Sequence, residues 1–334
     1  MAGGSAFAVY SALVANSVVA VAKLVGFALT GSGAMLSEGL HSVADVGNQA
    51  LLAVGLHKAA RPPDEEYPFG YGREAFVWAL ISAVGMFFLG CGVSIAHGIE
   101  ALLETHPAVS GSQLNLAILG GALVLESASM AIAIHSIRGD AAAEGKSLWA
   151  YFQTTEDPIG VAVLLEDGAA VFGVFIALAA VGLASITGDA RWDAVGTLAV
   201  AGLMGWLAVY LIQKNRGLIV GRAVNQTSIE RFVTVMTKDS VVDRVVHHRS
   251  EVTGATTWTL AADVAFNGAA LNSKELTETD VPTLRAAASD EAARVWLDAY
   301  TNRMTRRLGI EIERIEETVR AELPKAVTIH IEPD

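Results

Sequence analysis

Charge is scarce in this sequence. Only 17% of the 334 residues are Asp, Glu, Lys or Arg, against 52% hydrophobic, and the mean hydropathy is +0.44. A soluble domain carries about a quarter charged residues, so the balance lies on the membrane side. A basic excess is also missing: 23 Lys and Arg face 35 Asp and Glu, the net charge is −12, and no long basic run occurs. That argues against a nucleic-acid partner, whose phosphates need a cationic surface. Cysteine is nearly absent. The single Cys91 excludes a disulfide framework and a thiolate metal cluster within one chain. Set in an apolar stretch, Cys91 reads as a small buried hydrophobe. The start, MAGGSAFAVYSALVANS, lacks the charged opening and small-residue cleavage site of a secretory signal and runs straight into the first apolar segment.

What the sequence does have is long apolar runs. A spanning helix needs roughly 20 mostly apolar residues. Six segments qualify, at about 6–29, 34–57, 75–103, 112–137, 158–183 and 193–213. The long polar stretches follow the second and fourth. Lys and Arg near the ends set the orientation. Lys58, Arg61, Arg73, Arg138, Lys146, Lys214, Arg216 and Arg222 fall on one side and only Arg191 on the other. The basic side is expected to be cytoplasmic, and an even number of spans puts both termini there. Lys23, inside the first span, is expected to snorkel or to pair with a carboxylate.

From about residue 215 the chain becomes charged, with both signs mixed. A helical pattern at Thr227–Lys238 is followed by VVDRVVHHRSEV, the break TGAT and TWTLAADVAF, which read as a hairpin. A long amphipathic stretch runs to Glu322, and AVTIHIEP closes as a strand. This is an α+β pattern, with Asn267–Tyr300 as a helical insertion. The expected architecture is an all-α transmembrane domain of six helices over residues 1–214 and a cytoplasmic α+β domain over 215–334.

Ionisable residues inside a membrane are costly, so each is a functional candidate. The second span carries SEGLHSVADVGNQ. His41 and Asp45 are four residues apart and share one helix face, Asn48 lies on nearly the same face, and Glu38 is one turn before His41. Imidazole plus carboxylate at this spacing is a half-site for a metal such as Zn2+, which takes about four ligands. The fifth span carries adjacent Glu166 and Asp167, whose side chains diverge by about 100° on a helix. At most one of them can share a narrow site with His41 and Asp45. Glu156 lies on the Asp167 face and, with Asp157, would line a cytoplasmic access path. Glu126 in the fourth span and Asn16 in the first are further polar residues, with interhelical bonding as their plain alternative. His57, His97, His106 and His135 read as interfacial or packing residues.

SEGLHSVAD, the turn TGSGAML before it, and YPFGYGREAFVWAL after it resemble the cation diffusion facilitator family. So do the run ending LLEDGAAVFGV, Asp193 at the start of the sixth span, and the final TIHIEPD. The similarity covers almost the whole chain in order. GLHSVADVGNQ, YPFGYGREAFVW and LLED look most like the branch containing human zinc transporter nine.

The resemblance implies a homodimer in a lipid bilayer that exports Zn2+, or related ions such as Mn2+, Fe2+, Co2+ or Cd2+, in exchange for protons. It implies no organic cofactor, and it gives the tail a ferredoxin-like fold. It implies a central site of two pairs, one on the second span and one on the fifth. His41 and Asp45 match the first pair. Asp167 matches the second position of the other pair, whose first position holds Val163. The fourth ligand is then Glu166, Glu38 or water.

The accessory metal site of many bacterial members has Asp64 here, but Tyr67 and Tyr71 stand in place of its histidines, so no such site is expected. For a tail metal site the sequence offers His247, His248, His330, Glu332 and Asp334, while Ala262 replaces a histidine expected on the preceding strand. Two other readings compete. Val163 motivates a metal-sensing scaffold that has lost transport. A membrane metalloenzyme would need a general base such as Glu38 or Glu166 beside His41, and no hydrolytic motif occurs. The compact loops and the chain start suggest a prokaryotic inner membrane.

Overall fold

The computed structural model describes residues 3–30, 33–103, 112–143, 145–154, 158–189 and 191–334. The side chains of some further residues within helices, Glu38 and His41 among them, lie outside the described residues. The chain divides into two compact units, residues 1–220 with 254–256 and residues 221–253 with 257–334.

The first unit is helical: α1 (Gly3–Thr30), α2 (Gly33–Ala59), α3 (Glu74–Gly85), α4 (Val93–Leu103), α5 (Ser112–Ala143), α6 (Leu148–Thr154), α7 (Pro158–Thr187) and α8 (Arg191–Val220). A π-helical stretch, Met86–Gly92, joins α3 to α4 into one long element. Among the described residues, five stretches are long and apolar enough to cross a membrane: Val9–Gly26, Glu74–Leu103, Ala117–Ala142, Ile159–Ala184 and Ala194–Val220. Helix α2 is not among them. Its 27 residues would reach about 40 Å at the α-helical rise. Its composition falls short because SEGLHSVADVGNQ interrupts the apolar run.

The long helices close a ring by pairwise packing, α1 on α2, α2 on α3, α3 and α4 on α8, α8 on α7, α7 on α5, and α5 on α1. Their outward faces are the apolar ones. On α1, Phe7, Tyr10, Val14, Val18, Val21 and Val25 are exposed, while Val9, Ala12, Ala20 and Lys23 are buried. Lipid is as apolar as Leu, so small and polar residues fill helix contacts and large apolar ones face outward. The contacts are close. A Cβ on Gly55 of α2 would meet Trp78 Cβ of α3 at 2.6 Å, and one on Gly205 of α8 would meet Cys91 Sγ at 2.8 Å. Cys91 is buried there as a packing residue.

Two features differ from the sequence reading. Helix α5 runs on to Ala143, through an alanine run that favours helix. The polar stretch after it contains α6, whose Tyr151 packs on Ile137 and Ala141 of α5.

The second unit begins with α9 (Gln226–Thr237), capped by the Asn225 side chain accepting from Ser228 N. Strands β1 (Val242–Gly254) and β2 (Thr257–Phe266) follow, then α10 (Gly268–Glu275), α11 (Asp280–Arg285), α12 (Asp290–Glu322) and β3 (Ala326–Pro333). The sheet order is β1-β2-β3, with β2 and β3 parallel. A parallel pair needs a long crossover, which α10 to α12 supply. Trp258, Leu260, Ala262 and Val264 alternate into the core and meet Ile329 and Ile331 of β3, with Phe232 and Met236 of α9 and Ile315 and Val319 of α12 also buried. This is a three-stranded α+β unit.

Asn267–Tyr300 holds α10, α11 and the start of α12, tied down by ion pairs. Buried Glu311 accepts from Lys274 at 2.7 Å, Arg307 at 2.7 Å and Arg314 at 2.8 Å. Arg314 also reaches Asp239 at 2.7 Å, past the end of α9. Burial pushes the Glu311 carboxyl up, but Lys274 and Arg314 outweigh it and bring it down to about 2. Asp280 is held down to about 2 by the Thr277 backbone N–H first and then by Arg303, at 2.7 Å.

Candidate functional site

Helices α2 and α7 meet only over a short stretch, since α1 packs on both. At that meeting α7 presents Glu166 and Asp167 in an otherwise apolar run. Asn48 Nδ2 donates to Glu166 Oε1 at 2.7 Å, and Gln49 Nε2 donates to Glu166 Oε2 at 2.7 Å. Ser82 of α3 donates its hydroxyl to Asn48 Oδ1. On the other side, Ser129 of α5 donates to Asp167 Oδ2 at 2.8 Å. Asp167 is 3% exposed, Gln49 1% and Asn48 8%. Buried polar groups are expected to find partners, and each of these side chains has one, although the Gln49 Oε1 oxygen accepts no hydrogen bond among the described residues.

Asp45, half-buried on α2, lies one turn before Gln49. Its carboxyl is close enough to those of Glu166 and Asp167 for the three to interact electrostatically. Carboxyls close together in an apolar interior are costly unless cations or hydrogen-bond donors offset them.

The remaining candidates fall as follows. His41 and Glu38 belong to α2, but their side chains lie outside the described residues, as do Glu156, Asp157 and His106 altogether. His41 is one turn before Asp45 on the same helix. Val163 is fully buried on α7, one turn before Asp167. Glu126 is buried on α5, Lys23 is buried on α1, and Asn16 is half-buried on α1. His57 and His135 are exposed and His97 is half-buried. Among the described residues, no three His, Cys, Asp or Glu side chains converge to hold an ion.

Sequence reasoning missed Gln49, Ser82 and Ser129. Each is a small or neutral polar residue inside an apolar helix, and only the helix packing shows what it faces.

Asp64, in the loop after α2, ties that loop together. Its carboxylate accepts from Glu66 N at 3.1 Å, Tyr67 N at 2.8 Å and Tyr71 Oη at 2.6 Å. Arg61 lies over the Tyr71 ring, 4.7 Å from its centre. The Tyr71 hydroxyl beside Asp64 is pushed up to about 12, and the Asp64 carboxyl is lowered by the same hydrogen bond.

In the tail, His330 and Glu332 sit on the exposed face of β3, and His247 and His248 are exposed on β1. The register pairs His330 with Ala261 and Glu332 with Asp263. Ala262 pairs with buried Ile331, so it belongs to the core face and not to the face bearing His330 and Glu332. Asp263 faces Arg249 at 3.5 Å.

Residues 9–220, well over half of the chain, match the cation efflux transmembrane domain family. Over 332 residues, covering 97% of this chain and 72% of the relative, the sequence is 36% identical to metal tolerance protein C4 of Arabidopsis thaliana. Over 314 residues it is 32% identical to the mitochondrial proton-coupled zinc antiporter SLC30A9 of Xenopus laevis, covering 93% of this chain and 56% of that one. A more distant relative, 28% identical over 256 residues and covering 73% of this chain and 78% of its own, is the manganese efflux system protein MneP of Bacillus subtilis (strain 168). The chain thus spans a little over half the length of the animal relative. On this similarity it belongs to the cation efflux family, the cation diffusion facilitators, and is an integral-membrane cation transporter and not an enzyme.

Proposed function

We propose that this chain exchanges Zn2+ for protons at a central site built by His41 and Asp45 on α2 and Asp167 on α7. One observation carries the reading: Asn48 and Gln49 of α2 bind Glu166 of α7, which brings Asp45, one turn before Gln49, and Asp167, next to Glu166, to the same helix contact inside the apolar ring. A divalent cation is the natural counter-charge for such a pair. Imidazole at His41 favours Zn2+ over Mg2+ or Ca2+, which prefer oxygen cages. Ligation needs neutral His41 and ionised Asp45 and Asp167, so metal uptake expels protons and protons from the far side displace the metal. Histidine suits the exchange because its ordinary pKa is near physiological pH. Glu156 and Asp157 precede α7 in the chain and would line the approach from the basic side.

This reading makes α2 a sixth span. Its burial pattern supports that: Ser42, Asn48 and Gln49 are buried, while Val43 and Val54 are exposed. Polar residues face the bundle and apolar ones the lipid. The tail is proposed to be ferredoxin-like and to pair two copies into a homodimer. The prokaryotic plasma membrane expected from the sequence draws no support from mitochondrial relatives, and the proposal requires only a membrane with a proton gradient. The scaffold and metalloenzyme readings are not favoured by relatives named for antiport and efflux.

The test is zinc flux into proteoliposomes under an imposed pH gradient. The wild-type chain is expected to transport, and Asp45→Ala with Asp167→Ala to be inactive. Unchanged flux in that double variant would contradict the site assignment.

A further inference from the structure

Glu166 is bound differently from its neighbour. Ser129 takes only the Oδ2 oxygen of Asp167. Both oxygens of Glu166 are taken, and both donors come from α2. Asn48 and Gln49 leave that helix about 100° apart, yet both reach one carboxylate. Asn48 is oriented in turn, because the Ser82 hydroxyl donates to its Oδ1 and leaves Nδ2 to face Glu166. Hydroxyl, amide and carboxylate thus form a directed chain across α3, α2 and α7.

The position of this chain matters. Gln49 is one turn after Asp45, and Glu166 adjoins Asp167. Among the described residues α2 and α7 meet only briefly, and the two hydrogen bonds to Glu166 join them there. If Glu166 turned away to ligate a metal, two buried amide donors would lose their acceptor.

The geometry points to Glu166 as an interhelical latch: a positioning residue that holds Asp45 against Asp167, and not the fourth metal ligand. This rests on the central site proposed above. The latch fixes how far apart the two half-sites stand, and the helices must break or carry it when the site changes the side it faces.

The test uses the full chain in detergent and in proteoliposomes, with Co2+ as a spectroscopic stand-in for Zn2+. Glu166→Gln and Gln49→Leu are expected to leave the Co2+ ligand-field spectrum unchanged, because no ligand is lost. Each is expected to slow zinc uptake by roughly tenfold or more, the scale of a lost hydrogen bond to a charged group. The exchange Gln49→Glu with Glu166→Gln rebuilds an amide–carboxylate pair with its sense reversed and is expected to recover uptake to within about threefold of wild type. Ser82→Ala leaves every carboxylate and amide in place and guards against misfolding; it is expected to give a smaller loss with the same spectrum.

A Co2+ spectrum altered by Glu166→Gln as strongly as by Asp167→Asn would make Glu166 a ligand and overturn the inference. So would wild-type uptake in Glu166→Gln, Gln49→Leu or Ser82→Ala, or failure of the exchanged pair to recover uptake. Failure of the underlying reading has a separate signature. If Asp45→Asn and Asp167→Asn each keep the wild-type spectrum and uptake, the central site is elsewhere and the latch falls with it.

Discussion

The two units bury acidic side chains in opposite ways. In the tail, Glu311 is surrounded by Lys274, Arg307 and Arg314, and its charge is spent inside the fold. In the membrane unit, the hydrogen-bond partners of Glu166 and Asp167 among the described residues are neutral: Asn48, Gln49 and Ser129. A carboxylate matched by three cations has nothing left to offer an ion. One held by amides and hydroxyls is oriented by neutral donors and not by matching cations. The contrast separates an acid held by cations from acids held by neutral donors, and the proposed transport role falls on Asp167, of the second kind.

The sharpest way to break the contrast is to remove one acid of each kind. Asp167→Ala is expected to lower zinc flux by about 100-fold or more, with hydrogen-exchange protection of α12 unchanged. Glu311→Ala is expected to do the reverse. It leaves cations around an empty buried position and costs the tail about 2–3 kcal/mol, below the range for a fully buried pair because Lys274 and Arg314 are partly exposed. Faster exchange in α10 and α12 would report that loss, with zinc half-saturation unaltered at a permissive temperature. If Asp167→Ala loosened the tail, or Glu311→Ala shifted zinc affinity, the two acids would not be of different kinds.

A smaller effect follows from acid. Glu311 and Asp280 have folded values lowered to about 2. Their contribution is fully present above the ordinary carboxylate range near about 4 and is lost as pH falls from there through about 2. The fluorescence of Trp296, stacked on Tyr300 in α12, is expected to change over that window. In Asp280→Asn the transition should begin at higher pH. Exchanging His41 for Asp is a test of selectivity: oxygen donors alone should broaden transport toward Mn2+, read as the ratio of Mn2+ to Zn2+ flux. The smallest change is expected from Tyr71→Phe. It removes one hydrogen bond to Asp64 in an exposed loop and should leave flux intact.

The same contrast explains what was legible in the sequence. Asp45 and Asp167 stood out because charge in an apolar run is conspicuous, and His41 because it lies one turn from Asp45. Asn48 was visible for the same reason, though its donation to Glu166 was not. Gln49, Ser82 and Ser129 gave no signal, since neutral polar residues are tolerated in spanning helices and acquire meaning only across a helix contact. In the tail the difficulty was reversed. Helix α12 carries so many charges that Glu311 looks like part of a solvated face, and only packing against α10 shows it buried. The strand alternation gave the hairpin and β3. The alternation of Trp258, Leu260, Ala262 and Val264 already puts Ala262 on the apolar face, and the parallel register sets it opposite Ile331 in the core. Helix α2 counts as a span only if polar residues are accepted within it, and its buried Ser42, Asn48 and Gln49 support that proposal.

The most direct measurement of the central claim is zinc flux driven by a pH gradient in liposomes containing the intact chain, compared with Asp45→Ala plus Asp167→Ala. The account predicts gradient-dependent flux in the first and none in the second. Equal flux in both, or wild-type flux indifferent to the gradient, would contradict it.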